Sequence, residues 1–439
     1  MSESRKYKAY SLHNFRQIPQ LEKLSEEEKF TIEVVGNVLP FKVNNYVLDE
    51  LINWDDYQND PMFNLTFPQK AMLNEEQFAI VADLIKKGYT KHDLKEPINS
   101  IREELNPHPA GQMEHNVPEI DGVKLTGIQH KYDETILFFP SQGQTCHAYC
   151  TFCFRWPQFV GMDEMKFAMK ETELLIKYLQ AHPEVTDIIF TGGDPMIMSP
   201  KILGGYIDAL LEADLPHLQH IRIGSKALSF WPYKFTTDKG AEDILDIFRK
   251  VNQSGKHLSF MAHFNHPAEL STEVVKEAIS RIRATGSQIR TQAPVMKGIN
   301  DHPEIWAELW KLQVKLGCVP YYMFVARDTG AQDYFAVSLE KCYRIFKDAY
   351  KQVSGICRTV RGPSMSAGPG KVQVLGVQEI MGEKVFVLNL IQGRNSKWVS
   401  QPFFAKYDPD AIWLNDLEPA FGENRFFFET TGIRELELN

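Results

Sequence analysis

The stretch HLSFMAHFNHPAELSTEVVKEAISRIRATGSQIRTQAPV, residues 257–295, carries the pattern that decides the fold. It opens with a short apolar run, continues through a segment whose apolar residues recur at helical spacing, and ends, after a glycine, in a second short run. Short apolar runs favour strands, and the middle segment favours a helix. Strand, helix and strand in this order predict a βαβ unit with parallel strands and a right-handed crossover.

The same alternation extends along the chain on both sides of this unit. Six candidate strands lie at 135–140, 187–193, 220–225, 257–264, 288–295 and 319–325. Before them, Ser25–Glu28 and Asn74–Gln77 have the spacing of capping boxes and predict two helix starts. We therefore predict an α/β fold in three parts: a helical extension at 1–125, a core at 126–330, and a C-terminal part at 331–439 with a helix, a glycine-rich turn and a β-rich tail.

Composition narrows the classes of function. The chain has 439 residues, 43% of them hydrophobic, and a formal net charge of -9, which argues against a general nucleic-acid binder. The first residues lack the apolar core of a signal peptide, and no stretch approaches the roughly 20 apolar residues that span a bilayer. We expect a cytoplasmic protein without a membrane partner. Six cysteines in a chain of this length do not form a disulfide scaffold.

Polar and glycine residues follow the candidate strands. In parallel α/β folds ligands bind at the C-terminal ends of the strands, so we expect these residues to share one cavity. They are Gly192, Gly193, Asp194, Gly224, Ser225, His263, Asn265, Gln292 and Arg327.

Three of the cysteines lie together after the first candidate strand. Cys146, Cys150 and Cys153 have the spacing C-x3-C-x2-C, and thiolates are soft ligands that suit iron–sulfur clusters or zinc. Three protein ligands leave one metal position open, which favours a catalytic cluster. The alternative is a zinc site completed by His147 or by a distant cysteine.

At these residues the sequence resembles a known family. Cys146, Cys150, Phe152 and Cys153 match the C-x3-C-x-aromatic-C signature of the radical S-adenosylmethionine enzymes, and TGGDP at 191–195 is similar to their second-strand motif. Further motifs resemble the lysine 2,3-aminomutase subfamily, in the same order. They are HKY at 130–132, RIGS at 222–225, HFNHP at 263–267, GIND at 298–301 and PYY at 320–322.

The resemblance implies a fold and two cofactors. The fold would be a partial (β/α)6 TIM-type barrel. The three cysteines would hold a [4Fe–4S] cluster whose open iron binds S-adenosylmethionine, and the turn of Thr191, Gly192, Gly193 and Asp194 would lie against that cofactor. One electron from a reducing donor would then produce a 5'-deoxyadenosyl radical.

The subfamily also holds pyridoxal 5'-phosphate on a lysine in a glycine-rich turn. Lys371 in SAGPGKV occupies that position, and Lys131, Tyr132 and Gln292 match residues near the cofactor. The family places a second arginine where this chain has Thr135.

The resemblance also bears on the substrate. Arg155 matches the arginine that binds the carboxylate of the amino acid. Arg327 and Ser364 stand where lysine-acting members have two aspartates, so we predict an amino acid other than lysine, such as glutamate. A one-residue slip in this alignment would bring Asp328 to the site instead.

The sequence leaves three functions open. The first is a pyridoxal-dependent radical 2,3-aminomutase that acts on an amino acid other than lysine and forms homo-oligomers. The second is a radical enzyme that abstracts hydrogen from another small molecule without pyridoxal phosphate, and the third is a non-catalytic, zinc-stabilised binding protein.

Overall fold

The computed structural model describes residues 5–90, 92–106, 116–161, 168–327 and 329–429. The N-terminal extension contains β1 Ala9–Ser11, α1 Glu26–Val38, β2 Lys42–Asn44, α2 Pro61–Thr66, α3 Glu75–Lys86, α4 Lys95–Glu104, β3 Glu119–Ile120 and β4 Val123–Lys124. The central part contains β5 Ile128–Tyr132, β6 Thr135–Phe138, α5 Thr172–Ala181, β7 Asp187–Phe190, α6 Pro200–Glu212, β8 His220–Ser225, α7 Ala227–Phe230, α8 Ala241–Gln253, β9 His257–His263, α9 Glu273–Ala284, β10 Gln288–Val295, α10 Pro303–Lys315 and β11 Val319–Val325. The C-terminal part contains α11 Gln332–Phe335, α12 Leu339–Lys351, β12 Arg361–Ala367, β13 Gly370–Ile380, β14 Glu383–Gly393 and β15 Pro402–Lys406.

One large sheet organises the protein, and the fold is mixed α/β. Strands β5 to β15 form an 11-stranded sheet in chain order. Neighbours from β6 to β12 pair in parallel, as the alternation of strand and helix predicts. The sheet begins with the antiparallel pair β5 and β6 and ends with the antiparallel strands β13, β14 and β15.

The two faces of this sheet differ in burial. Ile188, Ile221 and Ile289 on the outer face are completely buried in the main hydrophobic core. On the inner face, alternate residues such as Arg222 and Gln292 retain partial exposure. Because side chains alternate between faces along a strand, this pattern marks a recess on the inner face.

The sheet is also curved, as a contact between the distant strands β5 and β12 shows. The Lys131 ammonium, at the end of β5, donates a hydrogen bond of 2.5 Å to the Ala367 carbonyl oxygen at the end of β12. The inner face is therefore concave, and residues from β5 to β13 surround one space.

The N-terminal extension has its own hydrophobic core and covers one end of the curved sheet. Both predicted capping boxes are present, with Ser25 capping α1 and Asn74 capping α3. The core of the extension includes Ala148, Phe152 and Trp156 from the loop after β6. The extension therefore packs directly against the segment that carries the three cysteines.

The β-rich tail continues the central sheet through β12 and β13, so the sheet runs across the predicted boundary at 330. None of the helices in the described ranges is long and apolar enough to cross a membrane.

Candidate active site

The loop between β6 and a short 3-10 helix at Trp156–Phe159 carries Cys146, Cys150 and Cys153. The N-terminal extension holds the backbone of this loop in place. The Lys42 ammonium donates to the Cys146 carbonyl oxygen at 2.7 Å, and the Tyr7 hydroxyl donates to the His147 carbonyl oxygen at the same distance. In return, the Tyr149 amide donates to the Lys42 carbonyl oxygen at 2.8 Å. These bonds fix the loop from the side opposite the sheet.

The three thiols lie close enough to influence one another. Burial raises the pKa of the Cys146 thiol well above its ordinary value, and Asp194, Cys153 and Cys150 raise it further. Burial likewise raises the pKa of Cys150, and it raises the pKa of Cys153 to about 11. The cofactor-free protein therefore holds three neighbouring protonated thiols, and ligation of iron must release their protons.

Three thiol donors suit an iron–sulfur cluster or zinc. Within the described ranges, no three His, Cys, Asp or Glu side chains are grouped to hold a metal ion. His147, the candidate fourth zinc ligand, faces the Tyr7 ring at 6.0 Å, and burial lowers its pKa to about 3. Beside the loop, the buried Nε2 of His263 has no hydrogen-bond partner in the described part of the chain, and its ring contacts Phe152 at 5.6 Å.

Gly192 and Gly193 in the TGGDP turn face the start of the cysteine loop. A Cβ on Gly193 would lie 2.5 Å from both the amide nitrogen and the carbonyl oxygen of Thr145, and one on Gly192 would lie 2.8 Å from Gln144 Nε2. Gly192 also has a φ of +147°, which L side chains rarely adopt. The missing side chains therefore make room for the cysteine loop itself.

Asp194 organises the ends of two strands. Its carboxylate accepts hydrogen bonds from the Met196 amide at 2.9 Å, the Ser225 hydroxyl at 2.7 Å and the Lys226 amide at 2.9 Å. Burial raises its pKa to about 6, while these donors act in the opposite direction. Thr191 continues the same connection, because its amide donates to the Phe138 carbonyl oxygen at 2.9 Å.

Sequence reasoning missed a buried ion pair next to these groups. The Lys226 ammonium contacts the carboxylate of Glu269 and donates to Asn265 Oδ1 at 2.9 Å. Both Lys226 and Glu269 influence the pKa of Cys150, so the pair lies beside the cysteine loop. The available signal was the position of Lys226 directly after the polar end of β8.

Lys371 lies at the start of β13, among the inner-face residues. Its Nζ donates to Gln392 Oε1 at 2.9 Å and stands 4.4 Å from the centroid of the Tyr322 ring and 5.9 Å from that of Tyr132. Burial, together with the charges of Arg222, Lys131 and Arg361, lowers the pKa of Lys371 to about 7. A substantial fraction of this amine is neutral near pH 7, which makes it a nucleophile.

The predicted neighbours of Lys371 occupy different environments. Tyr132 is buried with its ring toward Lys371, and Gln292 pairs in register with Tyr322 on the adjacent strand. Thr135, in place of a family arginine, donates to Asp187 Oδ2 at 3.1 Å. Sequence reasoning missed the cations Arg222 and Arg361, because it considered Arg222 only as part of the RIGS motif and did not consider Arg361.

Arg155 is buried beside the cysteine loop. Its guanidinium lies 4.3 Å from the Phe139 ring centroid and donates to Gln158 Oε1 at 2.7 Å, while its Nε has no partner in the described ranges. Burial lowers its pKa to about 10. A buried guanidinium with an unused donor suits a carboxylate ligand.

The two positions predicted to select the substrate are not equivalent. Arg327 lies 4.8 Å from the Trp413 ring centroid, against the C-terminal tail. Ser364 is completely buried, and its hydroxyl donates to the Met323 carbonyl oxygen at 3.5 Å. Asp328 lies outside the described residues.

The chain is similar to proteins named for one activity. It is 29% identical over 404 residues to a putative L-lysine 2,3-aminomutase of Aquifex aeolicus, covering 92% of this chain and 94% of that protein. It is 25% identical over 289 residues to the L-lysine 2,3-aminomutase of Clostridium subterminale, covering 64% and 66%. No protein-family model matches the chain. A solved radical SAM methyltransferase from Sphaerobacter thermophilus aligns with a TM-score of 0.39 at 14% identity over 66% of this chain and 94% of that one, a likeness too loose to establish fold or function.

The cysteine loop after β6, the TGGDP turn that adjoins it and a relative matched over nearly its whole length support a radical S-adenosylmethionine enzyme. Within that class, the chain resembles the lysine 2,3-aminomutase-like subfamily, with 25–29% identity to the two relatives above.

Proposed function

We propose that this protein is a pyridoxal-dependent radical aminomutase that acts on an amino acid other than lysine. The observation that carries the proposal is Lys371, a lysine with a pKa near 7 that lies between two tyrosine rings on the inner face of the sheet. We further propose that the curved sheet is the partial barrel of this class, with S-adenosylmethionine at the cysteine loop.

The residues present fit the implied cofactors. Cys146, Cys150 and Cys153 would hold a [4Fe–4S] cluster, and Lys371 would hold pyridoxal phosphate. When bound, the cluster supplies the electron that cleaves S-adenosylmethionine, and the pyridoxal aldehyde carries the amino group of the substrate. The Lys371 Nζ contributes a neutral amine near pH 7, and Tyr132 and Tyr322 present ring faces beside it.

The substrate would be held by charge. Arg155 offers a buried guanidinium for the α-carboxylate, which a planar fork binds through two parallel hydrogen bonds. Arg327 and Ser364 would replace the acidic pair that holds a distal ammonium in lysine-acting members. A cation at 327 repels a second ammonium in a poorly solvated site, so an acidic side chain such as that of glutamate is the better ligand.

Anaerobic turnover tests the proposal. The full chain is reconstituted with iron and sulfide, then supplied with S-adenosylmethionine, pyridoxal phosphate, dithionite and a panel of amino acids that includes glutamate and lysine. We expect 5'-deoxyadenosine and a β-amino acid from glutamate. Robust turnover of lysine would contradict the substrate assignment, and failure to bind iron and sulfide would contradict the radical mechanism.

Two matched variants separate the parts of the proposal. Lys371→Ala should retain iron, sulfide and cleavage of S-adenosylmethionine but form no β-amino acid, whereas Lys406→Ala, at an exposed lysine of β15, should behave as the wild type. Rearrangement that persists in Lys371→Ala would favour the pyridoxal-independent enzyme. Arg327→Ala should lose activity on glutamate, while the exposed Arg344→Ala should not.

A further inference from the structure

Lys371, two other cations and two tyrosine rings form a continuous group. The Lys131 Nζ lies 5.8 Å from the centroid of the Tyr132 ring, and the Lys371 Nζ lies 5.9 Å from the same centroid. On the other side of Lys371, the Tyr322 ring is followed by Arg361, whose Cζ is 5.7 Å from its centroid. Lys131, Lys371 and Arg361 thus belong to one cationic group.

Cations outnumber carboxylates among the groups whose charges act on Lys371. Arg222, Lys131 and Arg361 all disfavour a proton on Lys371, and Asp187 favours it. Asp187 is already engaged, because it accepts a hydrogen bond of 2.8 Å from Arg222 Nε, contacts Arg222 Nη2, and accepts from Thr135. An anion is the ligand that such a surplus of positive charge would bind.

Thr135 is oriented toward Asp187 and not toward an anion. Its hydroxyl donates to the carboxylate and helps to hold Asp187 against Arg222. The chain has threonine where the family has its second arginine, and the hydroxyl of this threonine holds Asp187 against Arg222.

Arg361 is suited to replace that arginine. Its Nη1 donates to the Tyr322 hydroxyl at 3.3 Å, and its Cζ lies 5.0 Å from the centroid of the Tyr321 ring. No carboxylate of the described residues forms an ion pair with it, and Arg361 retains exposure at the start of β12. A planar guanidinium positioned by two aromatic rings presents the fork that binds a phosphate bidentately.

A second observation points to a polar ligand in the same place. The Tyr132 side chain is more than nine-tenths buried, and its hydroxyl has no hydrogen-bond partner in the described part of the chain. The Ser366 side chain is close enough to lower the pKa of this hydroxyl but does not reach it with ordinary hydrogen-bond geometry, and Ser366 pairs with Lys371 across β12 and β13. A buried hydroxyl without a partner is costly unless a ligand satisfies it.

We propose that Arg361 holds the phosphate monoester of a pyridoxal-type cofactor on Lys371 and so replaces the arginine that is absent at position 135. The inference rests on the proposed function and adds to it a residue that selects the phosphorylated cofactor. Arg361 is a binding residue in this role, and Tyr322 positions it.

Binding of two cofactor forms tests this role directly. Cofactor-free full-length protein is titrated with pyridoxal 5'-phosphate and with pyridoxal, which lacks the phosphate, and the pyridoxyl group fixed on Lys371 by borohydride is measured by mass spectrometry. Arg361→Ala should weaken binding of the phosphate form about 10- to 100-fold, the effect of one charge-assisted hydrogen bond, and leave pyridoxal binding unchanged. Arg361→Lys should recover part of the loss, and Arg344→Ala, on the exposed side of α12, should show none.

The outcomes separate this inference from the proposed function. Equal weakening of both forms in Arg361→Ala, or of neither, overturns the role of Arg361 and leaves Lys371 as the cofactor lysine. If no pyridoxyl group forms on wild-type Lys371, the proposed cofactor is wrong. Binding of inorganic phosphate then tests whether Arg361 belongs to an anion site. Phosphate that raises the melting temperature of the wild type but not of Arg361→Ala supports the site, and phosphate without effect on the wild type overturns it.

Discussion

Replacing Gly193 by alanine would place a methyl group where the cysteine loop already lies. The new Cβ would be 2.5 Å from the amide nitrogen and the carbonyl oxygen of Thr145 and 2.7 Å from the Gln144 carbonyl carbon. These atoms are backbone and cannot rotate away, so the loop must shift. Overpacking of this kind costs about 1–3 kcal/mol. Because Cys146 is the next residue after Thr145, the shift also displaces a proposed cluster ligand.

Gly205→Ala is the matched control for this substitution. Gly205 lies on the exposed side of α6, and a Cβ there meets nothing within 4 Å. Alanine is the better helix former, so this variant should gain about 0.5–1 kcal/mol. The same chemical change is thus expected to have opposite signs at two glycines.

Urea unfolding of the cofactor-free proteins and iron and sulfide analysis after reconstitution measure both effects. We expect Gly193→Ala to lose stability and to bind less than the full complement of iron, and Gly205→Ala to gain stability with normal iron. Wild-type stability and iron content in Gly193→Ala would refute the conclusion that this glycine accommodates the loop.

Four further predictions concern charged groups of the site. Because the pKa of Lys371 is lowered to about 7, its acylation rate should rise through pH 7, whereas that of the exposed Lys406, whose pKa is raised by Glu418, should keep rising at much higher pH. An unfolded lysine titrates near pH 10.4, so the folded protein binds fewer protons between about pH 7 and 10 and stability should increase with pH there, an increase that Lys371→Met removes in urea titrations. Arg155→Ala should raise the KM for the amino acid by about 10- to 100-fold without changing the iron content, and an unchanged KM would contradict a carboxylate contact. Asp194→Ala should lower the free energy of unfolding by about 1.5–3 kcal/mol, because three donors lose a charged acceptor, and urea midpoints equal to the wild type would disprove this.

The sequence predicts the strands of the central sheet closely, because they depend on local patterns. The apolar run at 288–295 is β10, and the run at 220–225 is β8. The capping boxes at Ser25 and Asn74 are also local, since each joins residues three apart. Neither β5, which is antiparallel to β6, nor the continuation of the sheet into β13 could be predicted, because strand pairing depends on contacts between distant segments.

The candidate site shows the same limit. The cysteines and the TGGDP turn are contiguous motifs, and their side chains do come together. Arg361 is brought near Lys371 by the pairing of β12 with β13, and Lys131 by the curvature of the sheet, and neither follows from a local pattern. For Gly192 and Gly193, the sequence indicates a close approach to the backbone, and the structure adds the start of the cysteine loop as one partner of that approach.

The hydrogen bonds from Lys42 and Tyr7 to the cysteine loop have a consequence for how the enzyme matures. The loop is held by residues that lie 104 and 140 positions before it in the chain, so its thiols are arranged only after the extension has docked. Binding of iron and sulfide is then expected to depend on that docking. A chain shortened to begin near residue 126 would keep every ligand of the proposed cluster and still lack the template that arranges them.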